Sequence, residues 1–103
     1  MPNPSVTISN EVIRTVVRNT VLAMPGVHAL VDSERRFGVR GYQGVEVQLG
    51  DEAVRVSLHV VAAADVPLVD LGRRIQSEVV SVVEEIVGMK VSSVDVAFED
   101  VKT

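Results

Sequence analysis

At 103 residues, with a net charge of −4 and no cysteine, the chain has room for one domain, residues 1–103, with its own core and no disulfide. The missing thiols exclude thiol nucleophiles and thiolate metal sites, and the acidic balance weighs against a nucleic-acid or anionic-membrane surface. Hydrophobic residues make up 47% and aromatic ones only 3%, with 25 valines, so small branched side chains must fill the core and little remains for base stacking or a sugar platform. So high an apolar share in a short chain points to apolar surface covered by a partner. No apolar run approaches the length of a membrane span. Met1 to Ser5 lacks the charged and apolar regions of a signal peptide, so a cytoplasmic location is expected.

The first element is a helix. Val6-Thr7-Ile8 leads into Ser9, a good N-cap type, and Ile8 and Ile13 hold the two positions of a hydrophobic staple. Ile13, Val16, Val17, Thr20, Val21 and Met24 form one helical face, with Val12 and Leu22 off that stripe. Pro25-Gly26 ends the helix. Val27 to Val31 leaves room for a short extra strand. Asp32 to Gln43 is irregular and holds Arg35, Arg36, Phe37, Arg40 and Tyr42. As a solvated loop it needs no function. As a contact loop, its arginines suit an acidic partner. Gly38-Val39-Arg40-Gly41 has the G-x-x-G spacing of KH RNA-binding loops. Two glycines three apart are common, however, and this pair precedes a strand instead of joining two helices.

Two strands follow. Val45 to Leu49 and Val54 to Val60 alternate apolar and polar residues, the period of a half-buried strand. Gly50-Asp51-Glu52-Ala53 turns the chain between them into an antiparallel hairpin. Val45, Val47, Leu49, Val54, Val56, Leu58 and Val60 should line one face, and Glu46, Gln48, Arg55, Ser57 and His59 the other. A long helix comes next, with Asp65 expected as N-cap and Pro67 in the first turn. Leu68, Leu71, Ile75, Val79, Val82 and Ile86 should form its buried stripe. Gly88 should stop it as a left-handed cap. Val94 to Glu99 alternates again, with Val94, Val96 and Phe98 inward. A strand–helix–strand crossover makes its two strands parallel. The expected fold is α+β, a two-layer sandwich: a small mixed sheet with both helices on one face, in the order α-β-β-α-β.

A catalytic constellation is hard to assemble. His28 and His59 are the only histidines. Ser57 and His59 are expected to share an open sheet face with Arg55, Glu46 and Asp95, without a pocket or oxyanion donors. A metal site there lacks a second histidine at ligand spacing. No catalytic, cofactor or metal residue is assigned.

Several stretches together resemble the alkaline shock protein family, a bacterial general-stress family. They are Ile8, Ser9, Val12 and Ile13 at the first helix, Gly26-Val27 after it, and Gly44-Val45 opening the hairpin. Ile75-Gln76 in the long helix, the stop at Gly88 and the closing Val94 and Val96 complete the set. The match runs from about Val6 to Val101. The resemblance implies a small, non-enzymatic, cytoplasmic protein linked to envelope stress, docking to a membrane-anchored partner and self-assembly. It supplies no catalytic residues. Longer members carry a charged C-terminal tail that is not seen here after Thr103.

Two functional classes follow. The first is an interaction or scaffold module that self-associates and binds an envelope protein, using Arg35, Arg36 and Arg40 or the surplus apolar residues Val80, Val83 and Val87 of the long helix. The second is a KH-like nucleic-acid-binding or regulatory domain using the Arg35 to Arg40 loop. The acidic charge and scarce aromatics favour the first.

Overall fold

The computed structural model describes residues 5–32 and 44–103. Its elements are α1 (Asn10–Leu22), β1 (Val27–Leu30), β2 (Val45–Leu49), β3 (Ala53–Ala63), α2 (Leu68–Val87) and β4 (Lys90–Lys102). The expected α+β sandwich is present, with the extra short strand formed as β1. The segment with Arg35, Arg36 and Arg40 lies outside the described residues.

β3 is the axis of the sheet. β4 pairs with it in parallel along its whole length, while β1 and β2 pair with it antiparallel. β1 and β2 lie end to end on one edge of β3. His59 shows this directly: its N–H donates to the Gly44 carbonyl and its carbonyl accepts from the Val31 N–H, each at 3.0 Å. The Ala63 N–H likewise donates to the Gly26 carbonyl at 2.8 Å. The glycines of both Gly-Val pairs therefore enter strands beside β3. Both have positive φ, 96° at Gly26 and 80° at Gly44, a backbone that side chains resist.

Both helices cover one face of the sheet, α1 over β1 and β2, and α2 over β4. Ser9 caps α1 as expected, its side chain accepting from the Val12 N–H. Ile13, Val17 and Val21 of α1 meet Val54, Val56, Leu58 and Val60 of β3 and Leu71, Ile75, Val79 and Val83 of α2 in one core. No polar or charged side chain of the described residues is buried. Valine carries this core because its branched side chain is stiff at χ1 and loses little rotamer freedom on burial.

Four expectations need correction. Asp65 does not cap α2: it takes φ 64° in the turn, and Pro67 precedes the helix without a side-chain cap. Aspartate tolerates that left-handed backbone better than most residues. The buried stripe of α2 is Leu71, Ile75, Val79 and Val83, a strict four-residue run, while Val82 is half-buried and Ile86 exposed. A four-residue repeat drifts around the helix, and the stripe follows the sheet it packs on. Leu49 is exposed, because it ends β2 at the turn, past the reach of α1. β4 runs to Lys102, well past Glu99, with extra residues at Ser92 and Glu99 where its register against β3 slips.

Candidate functional site

The helix-free face of the sheet carries the polar residues of β2, β3 and β4. On it, His59 Nδ1 lies 2.7 Å from Glu99 Oε2. A carboxylate only accepts, so Nδ1 holds the proton in this bond. Both groups are partly exposed, His59 by 19% and Glu99 by 42%. Sequence placed His59 on one face with Ser57, Arg55, Glu46 and Asp95, and the register of Asp95 with Ser57 agrees. Its actual partner comes from β4, whose Ala97 is in register with His59 while Glu99 sits at the register slip. A carboxylate on Nδ1 is the orienter–base half of a triad, but no hydroxyl nucleophile is hydrogen-bonded to Nε2 among the described residues. Among the described residues no cluster of histidine and carboxylate side chains has the geometry to hold a metal ion.

The surplus apolar residues of the helices do not all face outward. Val83 is 1% exposed and belongs to the core, so it is withdrawn as a partner-binding residue. Val80 and Val87 are half-buried against the same core. Sequence misjudged Val83 because a stripe assigned to Val82 and Ile86 leaves Val83 apparently outside.

Val69 and Val101 lie towards one end of the molecule, while some other exposed apolar side chains lie towards the opposite end. Asn10 Nδ2 donates to the Val47 carbonyl at 3.3 Å, tying the start of α1 to β2. Glu84 Oε2 accepts from the Val91 N–H at 3.0 Å, tying the end of α2 to the start of β4. Leu49 is paired with Val54, and Val54 with Val91. Val12, Leu49 and Ile86, exposed by 49%, 42% and 38%, therefore share this end. Two surface depressions lie there as well. One of about 340 Å³ is lined by Gly50, Glu52, Arg55 and Ser92 among others, and one of about 330 Å³ by Glu84, Gly88, Met89 and Lys90.

No helix among the described residues is long and apolar enough to cross a membrane. Comparison with known proteins adds one match. The model of the alkaline shock protein 23 family, described as having a cell envelope-related function, covers residues 2–103. No curated protein and no solved structure matches the chain.

Proposed function

We propose, from the premise that this chain belongs to the alkaline shock protein 23 family, that it is a non-enzymatic, stress-related scaffold. It self-associates and binds a protein partner at the cell envelope from the cytoplasmic side. The observation that carries this reading is the exposed apolar end formed by Val12, Leu49 and Ile86. Isolated exposed apolar residues are ordinary, but Val12, Leu49 and Ile86 at one end beside two depressions support the reading of a surface for another protein. The family's envelope-related description supplies the setting.

The test has two arms. Light scattering over a concentration series should show a mass above that of the monomer, reduced towards it by Val12→Glu. Capture from an extract of the native cell should retain an envelope protein on the wild-type chain and lose it on Ile86→Glu. A mass fixed at the monomer value, together with capture unaffected by either substitution, would remove the reading.

A further inference from the structure

The outer edge of β4 is not uniformly open. Among the described residues β4 pairs only with β3, so one of its edges has no described strand beside it. The ladder fixes which residues point that way. His59 directs its N–H and carbonyl to Gly44 and Val31, so the odd-numbered residues of β3 address β1 and β2, and the even-numbered ones address β4. In a parallel pair, a residue that bonds across sits in register with a neighbour that points away. Ser93, Asp95, Ala97 and Asp100, in register with Arg55, Ser57, His59 and Val61, therefore bond back to β3. Val91, Val94, Val96, Phe98 and Val101 turn their backbone groups outward.

Three side chains agree with this, and each engages one outward group of the edge. Glu84 Oε2 accepts from the Val91 N–H at 3.0 Å. Gln76 Nε2 donates to the Val94 carbonyl at 3.0 Å. Asp100 Oδ1 accepts from the Val101 N–H at 2.8 Å. Between these plugs, the N–H and carbonyl of Val96 and of Phe98 face outward, with no strand paired to them among the described residues. An edge engaged at single groups towards its ends, with both groups of two alternate residues open between them, offers a docking slot for a short strand.

The surroundings select the occupant. Gln76 reaches the edge, so its row on α2, which at helical spacing includes Val69 and Val80, overhangs the slot. Val69 is 67% exposed. An added strand would turn alternate side chains toward Val69, Val80 and Phe98, which suits apolar residues. Its other side chains would lie over Asp95 and Glu99 on the helix-free face, which suits lysine or arginine. A second copy of this chain fits poorly. Antiparallel pairing centred on Ala97 would use all four groups of Val96 and Phe98, yet it sets Asp95 directly against the partner copy's glutamate at 99, twice. Like charges directly opposite destabilise a strand pair.

We propose that the Val96–Phe98 edge of β4 binds, by strand addition, an extended segment of another protein in which basic and apolar residues alternate. This rests on the scaffold reading above and supplies its mode of contact. The probe is an acetylated, amidated heptapeptide of alternating lysine and valine, titrated into the isotope-labelled full chain and followed by amide NMR. Binding should slow hydrogen exchange at the Val96 and Phe98 amides by about tenfold or more at saturation. The same peptide N-methylated on alternate amides, or with glutamate for lysine, should bind about tenfold more weakly. Asp95→Lys, a change at an exposed position, should weaken the lysine peptide and strengthen the glutamate one. Equal binding of the N-methylated peptide would reduce the effect to surface charge and overturn strand addition. So would protection of the two amides by raised protein concentration without peptide, which would name a second copy as the occupant. If the peptide fails while the envelope partner is still captured, strand addition falls and the scaffold reading stands. If the peptide docks and capture fails, the edge site stands and the scaffold reading falls.

Discussion

At the scale of single residues, two glycines with similar backbones should respond differently to a methyl group. Gly44 and Gly88 have φ of 80° and 73°. A Cβ at Gly44 would stand 2.9 Å from Leu30 Cβ and 2.9 Å from the Val31 N, whereas at Gly88 nothing lies within 4 Å. Gly88→Ala should therefore cost only the left-handed backbone penalty, about 1–2 kcal/mol. Gly44→Ala adds a collision with backbone that β3 holds in place, and should lose clearly more than Gly88→Ala. Urea unfolding of both variants decides it; equal losses would mean that β1 gives way freely. His59 makes the opposite case. Its bond to Glu99 is a partly exposed pair, so His59→Ala should change stability by less than about 1 kcal/mol. A larger loss in the same urea experiment would show the pair to be structural. The Gly-Val pairs were visible in the sequence, and their reason is now physical: each glycine closes on β3 with positive φ.

At the scale of elements, the strands and helices were legible because their periods were clean. Val45 to Val60 alternates strictly, and α1 carries a cap, a staple and a Pro-Gly stop. The start of α2 was not legible, because Asp65 is a good cap type that the turn instead uses for its left-handed residue. The edge of β4 was legible only as an edge. Which of its groups point outward depends on the register slips at Ser92 and Glu99, and no periodicity announces those. The register makes a sharp comparison. Ala97→Pro removes an N–H that faces β3, leaving an acceptor of the ladder unsatisfied, while Val96→Pro removes one that faces outward. Ala97→Pro should be the more destabilising by about 1–3 kcal/mol, the cost of an unmet buried polar group. Thermal unfolding monitored by circular dichroism would show it, and the reverse order would mean the strand is paired one residue out of the assigned register.

At the scale of the whole molecule, the family and the layered fold were readable, yet the candidate surfaces were not. A sequence shows which residues are apolar, but a layer of two helices decides which of them it covers. α2 is the clearest instance. Val83 and Ile86 lie three residues apart on the same helix, both with aliphatic side chains, one 1% and the other 38% exposed. Val83 sits where the helix faces the sheet, among Val79, Ile75 and β3. Ile86 sits near the free end of the helix, above the point where β4 begins. A glutamate at 83 would place a charge in a core with no polar group among its described residues, and the neighbours offer nothing to pair with it. Val83→Glu should therefore abolish the cooperative unfolding transition, or lower stability by more than about 3 kcal/mol. A glutamate at 86 reaches solvent at once, so the monomer should keep its stability within about 0.5 kcal/mol. If the exposed end is an interface, Ile86→Glu should still lower the mass seen by light scattering at high concentration. Denaturant unfolding of both variants, run beside that scattering series, separates the two roles. A folded Val83→Glu protein would show that α2 is rotated from the placement described, and an unfolded Ile86→Glu protein would show that the end is core and not surface.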